Sequence, residues 1–208
     1  MRGIHVVGGG GHAKVVVGTL QAAGYSVRAA FDDDPRKQGS RLLGVPVEGA
    51  TREIEKLASA RTVLAVGDNA SRKRLAERFR TVDWVTVVHP EAFVHPSVRL
   101  GPGTVVFAGA VVQPDTVVGA HCIVNTGATV DHDCVLGDYV HVAPGANLAG
   151  EVRLDDGVLL GIGGTAAPGA AVGAWTTVGA GSTVIGELSA GVVAVGTPAR
   201  PVRRASGD

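Results

Sequence analysis

Aromatic side chains are scarce in this 208-residue chain: four Phe, two Tyr and two Trp amount to 4% of it. That scarcity argues against a wide, ring-filled globular core, because large rings supply much of the buried area in such cores. Charge bias is also missing, since 19 basic residues balance 19 acidic ones. With no basic surplus there is no electrostatic footprint for nucleic acid or for an anionic membrane surface. No apolar run approaches the roughly twenty residues of a membrane span. The opening Met1-Arg2-Gly3-Ile4-His5-Val6-Val7-Gly8 reaches its glycines before the apolar stretch of a signal peptide can develop, so a cytoplasmic protein is expected. The two cysteines, Cys122 and Cys134, read as small core-lining residues in a reducing compartment, with no chemistry of their own.

What the chain has in excess is glycine, 31 residues of it, and a period. From Val94 to Ser189 it is an unbroken array of sixteen six-residue blocks, each opened by an aliphatic residue such as Leu100, Val106 or Val112, with only Ala166 falling short. A fixed short period is the mark of a solenoid. The fifth position of most blocks is small, as at Thr104, Ala110, Cys122 and Cys134, and the second is often Gly, Asn, Asp or Ala, residues that tolerate tight or left-handed corners. Each block then supplies one short strand and one corner. Three blocks close one coil of a triangular parallel β-helix, and residues eighteen apart stack at the strand spacing of about 4.8 Å. The narrow aliphatic interior of such a coil explains why so few rings are needed.

The solenoid leaves about ninety residues in front of it, enough for a small domain with its own core. Two domains are expected, an α/β Rossmann-like unit over 1–90 and the β-helix with its tail over 91–208. The apolar run at residues 4–7, the turn Gly8-Gly9-Gly10-Gly11-His12-Ala13 and the pattern Lys14–Leu20 predict strand, glycine turn and helix. Further strands are predicted at Val27–Phe31 and Thr62–Val66, ending in Asp32-Asp33-Asp34-Pro35 and Gly67-Asp68-Asn69, and a helix at Ala70–Arg80. Ligands of such sheets bind at the carboxyl ends of the strands, where these loops gather. The glycine run fits G-x-G-x-x-A, a weak dinucleotide signal. Free amides at the helix start favour a phosphate whether it comes from a dinucleotide or a nucleotide-sugar. Only one mononucleotide-sized half precedes the hexads, which argues against NAD. Arg72, near the start of the second helix, is read as part of a solvated face with a weak claim to phosphate. After a strand at Trp84–Val88, His89 and His95, each followed by proline, read as turn residues.

One stretch breaks the blandness of the repeat. Asn125, Asp131-His132-Asp133 and His141 fall within one coil's length, and His132 sits between two carboxylates on the outer surface. A neighbouring carboxylate orients an imidazole and raises its basicity, as a general base requires.

The segment Val124–Gly145, together with Gly8–Val16 and the ending Gly196-Thr197-Pro198-Ala199-Arg200, resembles the sialic-acid O-acetyltransferase and bacillosamine N-acetyltransferase family of hexapeptide-repeat acyltransferases, in the right order over nearly the whole chain. The resemblance implies a left-handed β-helix, an exception to the right-handed crossover rule. It implies His132 as catalytic base supported by Asp133, which stands where the family carries a glutamate. It matches His141 and Ile162 to acetyl-CoA contacts, and Ala180 to a third that is a glycine in the family. Gly10, Gly11, His12, Asp32, Asp33 and Gly67 match the nucleotide-sugar site. The implied reaction is acetyl transfer from acetyl-CoA to the amino group of a UDP- or GDP-linked 4-amino-sugar, without metal or covalent intermediate, in a homotrimer whose active site lies between subunits. A backbone amide near Gly150, one coil above His132, is the expected oxyanion donor. Three other readings remain at this point: O-acetylation of a sialic-acid-type sugar, a gamma carbonic anhydrase-like metal site drawing on His121, His132 and His141, and a scaffold without catalysis.

Overall fold

The apolar run after Gly3 forms β1 (Ile4–Val7), and the glycine turn delivers the chain into α1 (Gly11–Ala22). The structure, a computed structural model, describes residues 3–57 and 59–205. β2 (Val27–Phe31) lies where the sequence predicts it, and β5 (Arg61–Leu64) and α2 (Asn69–Arg78) lie within two residues of prediction. Between β2 and β5 the sequence gives no warning of a hairpin, β3 (Arg41–Leu42) with β4 (Val45–Gly49), or of a 3₁₀ turn at Thr51–Lys56. β6 (Asp83–Trp84) completes a sheet of order β3-β4-β2-β1-β5-β6, parallel except for the hairpin. β1 has β2 on one side and β5 on the other, so the strand order reverses beside the Gly8–Gly11 turn, the position where such sheets take ligands.

The single strand expected at Trp84–Val88 is in fact two. Val85 donates to the Thr62 carbonyl of the Rossmann-like sheet, whereas Val87 donates to Thr104, so Val87–Val88 is already the first rung of the solenoid, six residues ahead of the hexad array. From there a left-handed parallel β-helix runs to Val195 with rungs of about two residues on three faces. The first face carries Val105–Val106, Ile123–Val124 and His141–Val142; the second carries Thr129–Val130 and Asn147–Leu148; the third carries Val135–Leu136 and Arg153–Leu154. Eighteen-residue stacking holds throughout these, as in Val105↔Ile123↔His141↔Leu159. It fails only in the last coil, where Ala171 pairs with Glu187 and Thr177 with Val193, because the chain cuts the corner at Ile185–Gly186 and divides the sixteenth hexad. Arg200–Arg204 returns antiparallel along Val192–Val195 and covers that end of the first face.

Block openers point inward and, with Cys122 and Cys134, form one buried apolar column. Burial pushes the two thiols up, to about 12 and about 11, so both stay protonated and inert.

The corners correct the sequence reading. Every sixth residue from Gly103 to Gly181 has φ between +54° and +72°, and this is the fourth position of the block, not the second. Glycines at the second position answer to a different need, close stacking: a Cβ on Gly101 would lie 2.5 Å from the Ala120 nitrogen and the Gly119 carbonyl carbon. The Rossmann-like unit docks on the first face, where outward-pointing Val105 and Ile123 are only 2% and 1% exposed and share a core with Ala13, Val16 and Val17 of α1. Among the described residues no helix is long and apolar enough to cross a membrane.

The two kinds of glycine should separate on substitution. Gly101→Ala has only backbone to push against and is expected to cost about 3 kcal/mol. Gly127→Ala meets nothing within 4 Å and should cost only the left-handed penalty of about 1 kcal/mol. Equilibrium urea denaturation of the two variants checks the ordering.

Candidate active site

His132 projects from the edge between the second and third faces, and its corner is pinned from all sides. Asp131 Oδ1 accepts from the His132 amide at 2.8 Å, and the Thr116 hydroxyl donates to the Asp131 carbonyl at 2.7 Å. Asp133 N–H donates to the Pro114 carbonyl one coil below, and Glu151 N–H donates to the His132 carbonyl from one coil above. Asp133 occupies the left-handed corner at φ +58°, a conformation that Asp tolerates better than most residues. That turn brings its Oδ2 to 2.8 Å from His132 Nδ1, with both side chains more than half exposed. The hydrogen bond to Asp133, joined by the charges of Asp131, Asp133 and Glu151, raises the His132 pKa. A carboxylate on Nδ1 fixes the proton there and leaves Nε2 as the free basic nitrogen. The ring lies over Gly150: a Cβ there would approach Cε1 to 2.5 Å and Nε2 to 2.7 Å.

His141 is a different kind of histidine. Burial, then the charge of Arg72 and the proximity of His12, press its pKa down to about 3 against a hydrogen bond to the Gly67 backbone. Asn125 Oδ1 accepts from the Thr126 amide, so its Nδ2 is the group facing His141 Nε2 at 3.0 Å. Nε2 therefore accepts, and the imidazole stays neutral with its orientation fixed. His12, at the start of α1, lies with its ring centroid 6.3 Å from that of His141 and 5.6 Å from that of Phe107. Burial, then Arg72, depresses the His12 pKa to about 4. Its buried Nε2 has no hydrogen-bond partner within the chain.

Gly10, Gly11 and Gly67 line the same end of the sheet. α1 starts with no side-chain cap and no acidic residue in its first turn, which leaves its leading amides for an anion. Asp32 and Asp33 are already engaged inside the chain. Asp32 accepts from the Gly9 amide at 2.7 Å, the Asp34 amide at 2.9 Å and Lys37 Nζ at 2.9 Å. Burial alone would raise its pKa, but the Asp34 amide, Lys37 and the Gly9 amide together hold it below the usual carboxylate value. Asp33 binds the amide and hydroxyl of Thr51. Both residues therefore shape the loop, and Lys37 joins the site without any signal in the sequence.

Ile162 and Ala180, eighteen apart, stack on the edge between the first and second faces, and Ile162 is 62% exposed. His121, His132 and His141 belong to three different parts of the solenoid, so one chain does not assemble them around a single point. His89 and His95 accept through Nδ1 from the amides of Glu91 and Ser97 and are turn residues, as expected. Arg72 is the largest departure from the sequence reading: it is 1% exposed and bonded to backbone carbonyls, with no solvated face and no vacancy for phosphate.

Within one chain, the glycine loop and His141 sit where the Rossmann-like unit meets the first face, whereas His132 occupies the edge opposite that face. Exposed His132 and the candidate acceptor loop are separated by the width of the solenoid.

An acid-paired imidazole on the edge of a left-handed hexapeptide helix, with a glycine-loop nucleotide fold ahead of it, defines the hexapeptide-repeat acyltransferase class. Residues 3–79 match the PglD N-terminal domain family. Over its length the chain is similar to the acetyltransferase domain of PglB from Neisseria gonorrhoeae, with a TM-score of 0.92, 38% identity and coverage of 97% of this chain and 100% of that one. It is also similar to PerB from Caulobacter crescentus in complex with CoA and GDP-perosamine, with a TM-score of 0.90, 42% identity and coverage of 96% of both chains. The UDP-N-acetylbacillosamine N-acetyltransferase of Bacillus subtilis is 40% identical over 111 residues, 51% of each chain. An uncharacterized mimivirus protein, L142, is 30% identical over 103 residues, 21% of its length, so the chain spans about half or less of the curated relatives it matches. The chain belongs to the sialic-acid O-acetyltransferase and bacillosamine N-acetyltransferase family of hexapeptide-repeat sugar acetyltransferases.

Two substitutions interrogate His132 directly. Gly150→Ala should push the exposed ring aside and lower kcat by about a hundredfold, the value of a positioned base, while leaving the melting temperature nearly unchanged. Asp133→Asn removes the interaction that raises the His132 pKa. Since the base must be neutral to act, the acid limb of the kcat profile should move to lower pH and its plateau should fall.

Proposed function

We propose that the chain transfers the acetyl group of acetyl-CoA to the amino group of a UDP- or GDP-linked 4-amino-sugar. The observation that carries this reading is the 2.8 Å contact of Asp133 with His132 Nδ1, which leaves a basic Nε2 facing outward. The amine nitrogen attacks the thioester carbonyl as Nε2 takes its proton. The tetrahedral intermediate then collapses, the carbon–sulfur bond breaks, and the imidazolium returns the proton to the departing CoA thiolate. The oxyanion between these steps is assigned to the amide of Gly150, one coil above His132 and against its ring, which donates to no group among the described residues. No enzyme nucleophile is needed, and both thiols are buried and protonated.

Ile162 and Ala180 are assigned to the donor, with His141 beside them. Gly10, Gly11, His12 and Gly67 are assigned to the nucleotide-sugar, with Asp32 and Asp33 acting by shaping that loop. His132 and this loop lie on opposite sides of one chain, so the site is complete only when the edge of one subunit meets the Rossmann-like unit of another. Flat solenoid faces close naturally around a three-fold axis, and we assign a homotrimer acting in the cytoplasm. Light scattering should give three times the chain mass, and a monomer at micromolar concentration counts against the shared site.

A substrate panel tests the reaction. Acetyl-CoA consumption is expected with GDP-perosamine or a UDP-linked 4-amino-4,6-dideoxy sugar, and His132→Ala should reduce it at least about a hundredfold. Turnover confined to free or CMP-linked nonulosonates would overturn the amine reading in favour of O-acetylation, and activity indifferent to His132 would remove it as the base.

A further inference from the structure

We infer that Arg72 is a positioning residue for the acceptor loop, acting through the Val66 and Gly67 carbonyls. The guanidinium is 1% exposed, and all five of its N–H groups have acceptors. Nε donates to the His121 carbonyl at 2.7 Å, and Nη2 donates to the Tyr139 carbonyl at 2.7 Å and to Asn69 Oδ1 at 2.8 Å. Nη1 donates to the carbonyls of Val66 at 3.1 Å and Gly67 at 3.0 Å. Asn69 extends the clamp, with Nδ2 donating to Gly157 at 3.0 Å and Val158 at 3.2 Å. His121, Tyr139 and Gly157 are eighteen apart, so the loop after β5 is referenced to three stacked coils of the solenoid.

Such a fork is a costly way to hold two domains together if adhesion is all that is required. Among the described residues no carboxylate forms an ion pair with Arg72, and apolar packing of similar volume would join the domains without burying a charge. What the planar fork adds is direction. It fixes the Gly67 carbonyl beside the buried ring of His141, whose Nε2 is held by Asn125. Gly67 in turn faces His12: a Cβ on it would lie 3.8 Å from His12 Cγ. Gly67 of the candidate acceptor site and the His12 ring it faces thus take their positions from one buried side chain.

The inference rests on the acceptor site proposed above, and the test separates the two. Arg72→Lys keeps the charge but has three donors and no fork, and Asn69→Ala trims the clamp more gently. Steady-state kinetics of the full-length oligomer, with the 4-amino-sugar nucleotide that the wild type turns over best, should show KM for that nucleotide rising about tenfold or more in Arg72→Lys and less in Asn69→Ala. KM for acetyl-CoA should stay within twofold, and the pH limb set by His132 should not move. Unchanged nucleotide-sugar KM in folded variants would overturn the inference, as would a parallel loss in both KM values and kcat, the signature of general destabilisation. If the wild type acetylates no such nucleotide, the functional reading fails, and hydrogen exchange still judges Arg72. Faster exchange at Gly67–Ala70 with unchanged rungs at Ile123–Val124 and His141–Val142 supports the clamp, and unchanged exchange at the loop refutes it.

Discussion

A left-handed backbone corner at every sixth residue is the constraint on which the rest of the molecule depends. It forces a two-residue rung, then a turn of about 120°, and so a triangular coil whose eighteen-residue register puts every outward side chain into a vertical column. L-residues other than glycine pay roughly 1–2 kcal/mol for this conformation. The chain accepts that cost at Asp115, His121, Asp133, Tyr139, Glu151 and Trp175, and where it does so follows the edges. Between the first and second faces the corner residues are Gly109, Gly127, Gly145, Gly163 and Gly181, which leaves a smooth edge beside Ile162 and Ala180. On the edge next to the Rossmann-like unit they include His121, Tyr139 and Trp175, whose rings and carbonyls receive α2; the His121 and Tyr139 rings stack at 5.5 Å, and Lys73 lies over Trp175. On the third edge they are Asp115, Asp133, Glu151 and Gly169, and that is where the basic histidine stands. Three chemically distinct edges come from one repeat by the choice of what occupies the strained position.

Much of this was legible in the sequence. The hexad period gives the coil, the inward column and the stacking of His132 over Gly150, all without propensity arguments. Handedness was not in the spacing and came from family resemblance. The corner position is ambiguous in the sequence because glycine is frequent at two positions of the block for different reasons, backbone conformation at the fourth and clearance between coils at the second. Composition alone does not separate those needs; only the stacked neighbour, such as Ala120 over Gly101, tells them apart. The first rung escaped notice because Val87–Val88 directly follows β6, and a single apolar run can serve two sheets.

Arg72 shows the limit more sharply. On an isolated helix, Arg72-Lys73-Arg74 reads as a solvated face, and for Lys73 that is nearly right. Helical periodicity carries no information about a second domain, and it is the solenoid's own carbonyls at His121 and Tyr139 that turn one of these charges inward. The aspartates carry bonds that the motif match does not foretell. A motif match assigned Asp32 and Asp33 to a ligand, yet their oxygens are occupied by Gly9, Asp34, Lys37 and Thr51.

Rigidity and incompleteness are two sides of the same design. A β-helix with every rung hydrogen-bonded above and below has little freedom to bring a base to a substrate, and the Rossmann-like unit is fastened to it by a shared core and by Arg72. Within one chain the base therefore never meets the acceptor loop by motion. In the proposed reaction the encounter is built by assembly, with the second–third edge of one subunit set against the loop of the next. Geometry at His132 then inherits the precision of two rigid bodies and their interface, and a single methyl added at Gly150, 2.7 Å from Nε2, is enough to crowd the ring.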